Sequence, residues 1–462
     1  MKKLGYLFGF ILMAAFASCG STAATTDDTT TVDTTGTTVN ATSGSLATLT
    51  VGSDTVVFVP NGTSINITNM GSADTNTGLA LTRPSSQKLT VDATTSFDVD
   101  SCTIDATDLK LACVGYDSSK VAIIDIATLV SNIIDGLTTA AADLTTTEVD
   151  LGNSESGLFS GGECINCGIL ADAGDHRLIV SSGDGYRVLD YTGTVISSYL
   201  SDLTLTPAMS LSTENFTYDT TNNRIISPEY GTTNNFIWVI DVTTDTIYRW
   251  NQRMVDISVD ATDGITGFID VFAAGIEADS ATIDASTGAL LLVDENSNGL
   301  LTVNMNTAVF DDATNTFTAD ASVSAMDSVG SRLPGIAAES TNHYLFLEEE
   351  FSSGIAVAAL PTAAASGTIA VTNYNWASVP APTATCPTEL TWLNAGDPHG
   401  LALFTSVESS RSKGLLINEA KNCAAIIDLE SLLSTAKDSG TNQVATGTDL
   451  VASGVITFVS LE

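Results

Sequence analysis

Basic residues are scarce in this chain. Of its 462 residues, 16 are Lys or Arg and 54 are Asp or Glu, which gives a formal net charge of −38. Nucleic-acid binding requires basic groups that neutralise phosphates, and docking on anionic lipid requires a basic patch. The composition therefore excludes nucleic acid as a partner. It favours solubility and the attraction of cations, although a salty habitat would produce the same bias.

Several motifs of catalysis and cofactor binding are also missing. The chain contains no G-x-S-x-G nucleophile elbow and no G-x-x-x-x-G-K-[ST] phosphate loop. Cys164 and Cys167 form a C-x-x-C pair, but Gly168 stands where covalent haem attachment requires histidine. A redox site of the thioredoxin kind would need a βαβ setting, whereas this region has a β pattern. We interpret the pair as a small structural disulfide.

Histidine is rare as well, with three residues in the whole chain. His176 and His343 fall in predicted turns, where we expect them to be solvated. His399, in the segment DPHG, is a weak catalytic candidate because no partner residue is evident. The simpler interpretation is that His399 has a structural role, either in a turn or in the lining of a channel.

Long apolar runs are absent except at the N-terminus. The run from Leu4 to Phe16 follows two lysines and is too short for a membrane-spanning helix, which needs about 20 apolar residues. A basic segment, a short apolar run and small residues are the layout of a secretory signal peptide. We therefore assign residues 1–18 as a signal peptide and expect the chain to be exported.

The end of this leader resembles a bacterial lipobox, in the segment Phe16-Ala17-Ser18-Cys19-Gly20. The resemblance covers only this segment, and Phe16 replaces the usual leucine. It implies that Cys19 is lipidated and becomes the first mature residue. Gly20 rather than Asp after the cysteine implies anchoring at the outer membrane or cell surface. An ordinary signal peptide with an incidental cysteine is the alternative.

A low-complexity segment follows the candidate lipidation site. Residues 21–45 contain eleven threonines, three aspartates and no large apolar side chain. Such a segment cannot bury enough surface to offset the entropy lost on ordering. Residues 19–45 are therefore predicted to be a lipidated cysteine and a flexible, disordered tether that holds a folded head, residues 46–462, away from the membrane.

Six cysteines remain after Cys19, an even number that indicates disulfides in an exported chain. Proximity in sequence favours the pairs Cys102–Cys113, Cys164–Cys167 and Cys386–Cys423. The first pair is predicted to lie at opposed positions of two adjacent antiparallel strands, within disulfide reach.

A repeated unit begins near residue 95. Its first half is an apolar strand ending in an acid, a short polar turn and a second apolar strand, as in TIDATDLKLACVGYD (103–117) and TIDASTGALLLVDEN (282–296). A second apolar pair follows, as in KVAIIDIATL (120–129). Short Val-, Ile- and Leu-rich strands separated by polar turns predict an all-β fold. Four-stranded repeats of about 40 to 65 residues are typical of a β-propeller.

The repeat motif, an apolar residue and Asp followed later by V-x-D-x-x-T, resembles YVTN-type and NHL-type propeller repeats. The resemblance implies the architecture and little about function. We count six four-stranded blades. The strands around 47–59 and 65–68 and the terminal VITFVSLE are left over, and they either complete a seventh blade or pair the two chain ends. A β-sandwich or β-helix is the alternative fold.

One segment resembles half of a calcium loop. Asp294, Asn296, Asn298 and the following glycine match D-x-N-x-N-G, but Met305 occupies the position of the EF-hand glutamate. An EF-hand is therefore excluded. Calcium bound with other ligands remains one hypothesis, and a tight Asn-Gly hairpin turn is the other.

Acidic residues recur in or beside the connection from the second to the third strand of each repeat. In a propeller these connections share one face, so their acids form a rim that concentrates negative potential. Oxygen ligands of this kind suit calcium. The alternative is that they are ordinary solvated acids. The rim residues are Asp117, Asp184, Glu229, Glu295, Glu349 and Glu419.

Three function hypotheses follow from these features. The leading one is a cell-envelope lipoprotein whose propeller is a binding platform for a protein or small molecule, with calcium as the candidate cofactor. The second is a metal-dependent hydrolase or lactonase acting in the propeller channel. The third is a structural envelope component.

Overall fold

A computed structural model of the chain gives the fold of a large part of the repeat region. It describes residues 46–61, 64–71, 85–90, 98–116, 120–140, 143–151, 168–182, 185–200, 216–228, 237–250, 254–256, 268–270, 278–294, 299–325, 335–348, 354–360, 369, 371–375, 401–406, 409–418, 423–434 and 454–460. The signal peptide, Cys19 and the tether lie outside these ranges. Neither helix within them is long and apolar enough to span a membrane.

The described strands form seven four-stranded units in chain order, numbered here as blades 1 to 7. Blades 1 and 2 contain β1 (Ala47–Val51), β2 (Asp54–Asn61), β3 (Ser64–Asn69), β4 (Ser85–Thr90), β5 (Asp98–Asp105), β6 (Lys110–Tyr116), β7 (Lys120–Asp125) and β8 (Thr146–Asp150). Blades 3 and 4 contain β9 (Ile169–Asp172), β10 (Arg177–Ser182), β11 (Gly185–Asp190), β12 (Val195–Leu200), β13 (Thr217–Asp219), β14 (Arg224–Pro228), β15 (Ile237–Asp241) and β16 (Thr246–Trp250).

A separate two-stranded pair, β17 (Met254–Asp256) with β18 (Phe268–Asp270), precedes blade 5. Blades 5 to 7 contain β19 (Ala278–Asp284), β20 (Ala289–Asp294), β21 (Gly299–Asp311), β22 (Thr316–Ala325), β23 (Gly335–Glu339), β24 (Tyr344–Glu348), β25 (Gly354–Ala359), β26 (Thr372–Asn375), β27 (Leu401–Thr405), β28 (Ser412–Asn418), β29 (Cys423–Asp428) and β30 (Ile456–Ser460).

Each blade is an antiparallel meander of consecutive strands, and the first strands of neighbouring blades contact one another around the ring. The chain is therefore an all-β propeller, as the repeat predicts. Of the two alternatives that the sequence leaves open for the leftover strands, the seventh blade is the one found, because β1–β4 form a complete blade in addition to the six repeats. The terminal strand β30 pairs with β29 inside blade 7 rather than with the N-terminal strands.

Apolar side chains between the blades form the core. In blades 2 and 3, the inner strands bury Ala112, Val121, Leu178 and Leu189 in one cluster. Complete burial of such side chains contributes about 1.5–3 kcal/mol each. Because each blade presents apolar residues to both neighbours, a single blade cannot bury its own core, and the stacked ring is the stable unit.

Blades 1 and 7 contact each other, so the ring closes. Leu46 and Val57 of blade 1 share a buried cluster with Phe404 and Leu415 of blade 7. Contact between β1 and β27 places the first strands side by side at this junction. Within the described ranges the two blades share no hydrogen-bonded sheet, so closure depends on side-chain packing.

Two short helices interrupt the meander after the third strand of a blade. Helix α1 (Ala127–Ile134) in blade 2 buries Leu129, Val130 and Ile133 and contacts β3 and β4 of blade 1. Helix α2 (Leu429–Ser434) follows β29 in blade 7. Both helices lie outside the innermost strands and cover the flanks of the blades.

Blades 4 and 5 are joined into one eight-stranded sheet. The outer strand of blade 4, β16, pairs in parallel with the outer strand of blade 5, β22, through Arg249 opposite Thr316 and Trp250 opposite Phe317. Trp250 and Phe317 are also stacked, with ring centroids 6.5 Å apart. The outer edges of these two blades are therefore paired with each other.

Candidate functional site

The meander gives the propeller two different faces. Connections from first to second strand and from third to fourth strand lie on one side, which we call the turn face. Connections from second to third strand and from one blade to the next lie on the other side, the loop face. This assignment follows from the antiparallel order of the strands.

The turn face carries a repeated buried acid. The last residue of the first strand in blades 2 to 6 is Asp or Glu, and each of these residues is 2% exposed or less. Four residues separate the acid from the second strand in all five blades. The five acids are Asp105, Asp172, Asp219, Asp284 and Glu339.

The acid is buried because its carboxylate caps the turn that follows it. Asp105 Oδ1 accepts hydrogen bonds from the amides of Thr107 at 2.7 Å and Asp108 at 3.1 Å. Glu339 accepts the corresponding amides of Thr341 and Asn342. Asx-type bonds of this kind satisfy backbone donors that a tight turn leaves unpaired.

The final turn residue adopts a left-handed conformation in all five blades, with φ between 50° and 66°. Asn and Gly tolerate this region best. The sequence supplies Asn or Gly in two of the five turns and histidine in two others. The residues are Leu109, His176, Asn223, Gly288 and His343.

The second carboxylate oxygen often contacts the next blade. Tyr191 in blade 3 donates a short hydrogen bond to Asp105 Oδ2 in blade 2. Tyr218 in blade 4 donates to Asp172 Oδ2 in blade 3 at 2.7 Å. Burial, followed by the hydrogen bond from each hydroxyl to its carboxylate, raises the pKa of both tyrosines. The acids thus join neighbouring blades as well as capping turns.

Two of these acids are held ionised by their surroundings. Burial opposes ionisation of Asp284, but hydrogen bonds from Ser286 and Thr287 outweigh it and lower the pKa of Asp284. Glu339 is buried in the same way, and bonds from Asn342, Ser412, Thr341 and Thr405 lower its pKa. Hydrogen bonding to the charged form explains both directions.

The few basic residues are used internally at this face. Lys413 and Asp428 form an ion pair at 2.8 Å in which both side chains are 2% exposed. Arg177 bonds Asp172 at 2.7 Å and Asp175 at 2.6 Å. The pairs of Lys413 with Asp428 and of Arg177 with Asp172 are largely buried, so they are costly to break because the remaining charge is left without a partner. Such pairs leave fewer cations to offset the acids of the surface.

One junction on the turn face could hold a metal. Among the described residues, Asp105, Asp108 and His176 offer three donor atoms within 4.8 Å of one another. His176 Nδ1 lies 2.5 Å from Asp108 Oδ2, and this hydrogen bond raises the pKa of His176. Nitrogen and carboxylate donors together suit a cation such as zinc. The His176–Asp108 ion pair and the Tyr191 bond satisfy the same atoms without a metal.

The equivalent junctions between other blades differ at these three positions. None of those described combines two carboxylates with histidine. The sets are Asp172, Asp175 and Asn223; Asp219, Asn222 and Gly288; Asp284, Thr287 and His343; and Glu339, Asn342 and Ser410.

The two turn histidines have different environments. His176 is 59% exposed in its side chain, in keeping with the predicted solvation. His343 is 20% exposed and lies 3.4 Å from Asp284 Oδ2 and 3.3 Å from Ser286 Oγ. The expectation that His343 is solvated is therefore wrong, because the turn of blade 5 covers it.

The acidic rim residues Asp117, Asp184, Glu229, Glu295, Glu349 and Glu419 all lie outside the described residues. The strands that flank them are described, and each residue falls between the second and third strands of a blade. The blades concerned are 2 to 7. Their assignment to the loop face rests on strand order and remains a prediction for the side chains.

The candidate calcium loop lies in the same kind of connection. Asp294 ends β20 and pairs with Gly299 at the start of β21, so the two strands form a hairpin. Asn296 and Asn298 lie outside the described residues. His399, between β26 and β27, is also outside them, so the catalytic hypothesis for it stays a prediction.

The first predicted disulfide is present. Cys102 and Cys113 are opposed in the pairing of β5 and β6, with Cα atoms 4.1 Å apart and a bond between their sulfurs. Cys423 begins β29, the third strand of blade 7. Cys164, Cys167 and Cys386 lie outside the described residues, so their pairings stay predictions.

The sequence interpretation missed an exposed apolar strand on the outer edge of blade 3. Val195, Ile196 and Leu200 of β12 are 44%, 57% and 43% exposed. A signal was available, since residues 191–201 contain no charged side chain in a chain that is acidic elsewhere. The repeat motif covered Val195 and Ile196 but gave no indication of their exposure.

Comparisons with known proteins add information about the fold only. No protein-family model matches the chain, and no curated protein matches it. Among solved structures, the Cps50 (Swd1) β-propeller domain of Myceliophteria thermophila is 10% identical, with a TM-score of 0.42, over 71% of this chain and 82% of that chain. The WD40 domain of Toxoplasma gondii coronin is 11% identical, with a TM-score of 0.44, over 80% and 77%.

A third similar structure is the complex of KlAtg21 with the coiled-coil of AgAtg16. It is 9% identical, with a TM-score of 0.45, and the match covers 85% of this chain and 93% of that chain. Identities and scores at this level carry no argument about function.

Proposed function

We propose that the chain is an exported, lipid-anchored protein whose propeller is a binding platform, with the loop face as its binding surface. The observation that carries the proposal is that the connections from second to third strand, which share one face, contain or border an acid in six blades. The turns from first to second strand have four residues in each of blades 2 to 6. The connections from second to third strand range from two residues in blade 3 to eight in blade 4.

A regular ring of blades whose second-to-third connections differ in length is typical of a rigid scaffold that presents variable loops. Binding residues are found disproportionately on loops held by a regular framework. On the turn face, a buried acid caps the first-to-second turns of blades 2 to 6, whereas the third-to-fourth connections range from four residues in blade 3 to 27 in blade 7. The loop face is preferred as the binding surface because its second-to-third connections bring acids from six blades to one side of the ring. A variable surface on a fixed ring is better suited to recognition than to a purely structural role.

Charge narrows the class of ligand for the loop face. Six second-to-third connections contain or border an acid, and they belong to six different blades. Carboxylates grouped around one rim repel one another and attract a divalent cation or a cationic partner. Calcium is the candidate ion because it takes several oxygen ligands in flexible geometry.

The cation-dependent part of the proposal is tested by thermal melting with calcium and with chelator at fixed ionic strength. The rim variant combines Asp117→Asn, Glu229→Gln and Glu419→Gln. We expect calcium to raise the melting temperature of the parent chain and to raise that of the variant less, because ligands are lost.

A matched control removes the same amount of charge elsewhere. Asp135, Asp143 and Asp320 are exposed on other parts of the described surface, and each is changed to Asn. This control should keep the full calcium response. If calcium raised the melting temperature of both variants equally, or did not raise that of the parent chain, the rim acids would be ordinary surface charge and the calcium hypothesis would be wrong.

The anchor is tested separately at Cys19. One acyl chain gives only marginal binding, whereas the several chains of a lipobox cysteine hold a protein firmly on a membrane. Cys19→Ser should therefore move the protein from the membrane fraction to the soluble fraction. Ser18→Cys in the same background restores a cysteine at the wrong position and should not restore sedimentation. Continued sedimentation of Cys19→Ser with membranes would overturn the lipoprotein assignment.

A further inference from the structure

The outer strand of blade 3 has the features of a strand-addition site. We propose that the free edge of β12 binds an extended, basic segment of a partner protein by adding it to the blade as a fifth strand. This surface is separate from the loop face, so it adds a second binding surface to the platform. The strand-addition proposal does not depend on whether the acidic rim binds a cation.

Exposure of apolar surface is concentrated on this strand. Five large apolar side chains are exposed among the described residues, and three of them, Val195, Ile196 and Leu200, belong to β12. Single exposed apolar residues are ordinary, whereas a group on one element indicates a contact surface. The other two, Leu137 and Val309, lie on different blades.

The edge of β12 is also uncharged. Within the described part of the chain, β12 pairs only with β11. Outer strands usually carry charged residues that prevent unwanted pairing. Lys88 lies on β4, and Glu148 and Asp150 lie on β8, but β12 has the sequence VISSYL and contains no charge. The outer strands β26 and β30 are also uncharged, and β12 has a bulge at Ile196, but β12 alone combines an uncharged edge with three exposed large apolar residues among the described residues.

Backbone pairing at an outer edge occurs elsewhere in the ring. The outer strand of blade 4, β16, pairs in parallel with the outer strand of blade 5, β22, over two residue pairs. The blade geometry therefore permits backbone pairing at an outer edge. Added strands gain affinity from main-chain hydrogen bonds and specificity from alternate side chains.

Charge at the same edge selects a basic partner. An open cleft beside β12 is lined by Ser197, Ser198, Tyr199, Leu200, Asp245 and Ile247. Asp245 is exposed and accepts a hydrogen bond from the Tyr199 hydroxyl at 2.7 Å. This carboxylate can pair with a Lys or Arg of an incoming strand. The net charge of −38 attracts such a segment and repels a second copy of this chain.

The test uses the full chain and a short synthetic peptide in which lysine alternates with valine, followed by fluorescence anisotropy. We expect saturable binding that weakens as salt is added. Ile196→Thr combined with Leu200→Thr keeps strand propensity but removes apolar contact, and it should weaken binding by at least about tenfold. Asp245→Asn should reduce the salt dependence, because it removes the charge while keeping an acceptor for Tyr199.

Matched controls distinguish binding at β12 from non-specific binding of the peptide elsewhere on the surface. Val309→Thr changes an apolar residue that is 66% exposed on β21 and should leave binding unchanged. A peptide with a central proline cannot complete the added ladder and should not bind. The rim variant should bind the peptide as the parent chain does, so failure of the rim hypothesis and failure of this one are distinguishable.

Three results would overturn the proposal. One is equal binding by the parent chain and the Ile196 and Leu200 double variant. Another is equal binding of the proline peptide, or of a peptide with glutamate in place of lysine. The third is a concentration-dependent dimer in sedimentation that the double variant disperses, because the occupant of the edge would then be a second copy of this chain.

Discussion

At the scale of single residues, the acid that ends the first strand performs two tasks in most of blades 2 to 6. One carboxylate oxygen caps its own turn, and the other accepts a hydrogen bond from the next blade, as Tyr218 provides for Asp172. A buried ionised carboxylate without such donors would be strongly destabilising. The acid of the repeat is thus a structural element, and its recurrence in the sequence reflects packing rather than catalysis.

The first prediction concerns pH and the two acids whose pKa is lowered, Asp284 and Glu339. A lowered folded-state pKa stabilises the fold above the ordinary carboxyl pKa of about 4, and this stabilisation is lost as the pH falls through the lowered value. We expect the free energy of unfolding to be nearly constant from about pH 7 to 5 and to fall below about pH 4. Urea unfolding across this range measures it.

Two variants test whether Asp284 and Glu339 cause the fall in the free energy of unfolding at low pH. Asp284→Asn and Glu339→Gln should each destabilise the fold at neutral pH by about 1–3 kcal/mol and should reduce the acid-dependent loss. Asp311 also caps a turn through Ala313 and Thr314, but it is exposed. Asp311→Asn should therefore destabilise the fold less than either buried variant does. Unchanged acid sensitivity in both buried variants would contradict the assignment.

The second prediction concerns Gly185, which begins β11 with φ of +144°. A Cβ at this position would lie 2.0 Å from the carbonyl oxygen of Tyr199 on β12. Gly185→Ala should destabilise the fold by at least about 2 kcal/mol, because both the backbone and the neighbouring strand must move. Urea unfolding of the purified variant measures the change.

Gly136 provides the matched comparison. It has φ of +74°, but a Cβ there would meet nothing within 4 Å. Gly136→Ala should therefore cost only the left-handed backbone penalty of about 1 kcal/mol. If Gly185→Ala and Gly136→Ala were equally stable, the close approach of β12 to Gly185 would not explain the destabilisation of Gly185→Ala.

At the scale of strands, the elements that the sequence predicts best are the inner ones. The unit TIDATDLKLACVGYD corresponds to β5 and β6, with Asp105 opposite Lys110 across the turn. Residues 101–106 and 111–115 of this hairpin are buried, so β6 has an unbroken apolar run from Leu111 to Val114, and the turn between the strands is polar. The acid before each turn adds a regular marker.

Outer strands and blade 1 were harder to predict for physical reasons. β8 has the sequence TTEVD and alternates between exposed and half-buried residues, so it lacks an apolar run. The first hairpin of blade 1 turns at Gly52, and no acid ends β1, so the repeat marker is absent. The pairing of β16 with β22 and the exposure of β12 depend on contacts between distant segments, which no local pattern records.

The third prediction concerns the bridge between β5 and β6. Cys102 and Cys113 are both buried and are separated by 11 residues in sequence. Closing a loop of this size stabilises a fold by about 2–3 kcal/mol, mainly by restricting the unfolded chain. The double variant Cys102→Ala with Cys113→Ala should lose about this amount in urea unfolding.

Reduction of the Cys102–Cys113 disulfide in the parent chain is the control for the effect of replacing the two cysteine side chains by alanine. The parent chain treated with dithiothreitol should approach the stability of the double variant, and the variant itself should not respond to the reductant. A variant as stable as the oxidised parent would show that the bridge does not contribute.

At the scale of the whole molecule, the described strands close the ring without a strand shared between its ends. Blade 1 is built from the first four described strands and blade 7 from the last four, so each end of the repeat region forms a complete blade. The junction is held by a cluster that includes Leu46 and Val59 on one side and Phe404 and Ile426 on the other. Closure therefore depends on one patch of apolar packing.

The last prediction tests whether this patch is the weak point of the ring. Phe404 is 1% exposed at the junction of blades 7 and 1, and Phe404→Ala should destabilise the fold by about 3–5 kcal/mol. Phe346 in blade 6 is equally buried and lies against Gly414 of blade 7, so Phe346→Ala removes a similar volume inside the ring. Hydrogen exchange compares the two variants.

The two variants are distinguished by which blades contain the amides that lose protection from exchange. With Phe404→Ala, the amides of blades 1 and 7 should exchange faster while blades 3 to 5 stay protected, because local opening begins where few contacts hold an element. With Phe346→Ala, the loss should centre on blades 6 and 7 and leave blade 1 protected. Uniform loss of protection in both variants would mean that the seven blades open as one cooperative unit, and closure by side chains would then be as strong as the packing between any two neighbouring blades.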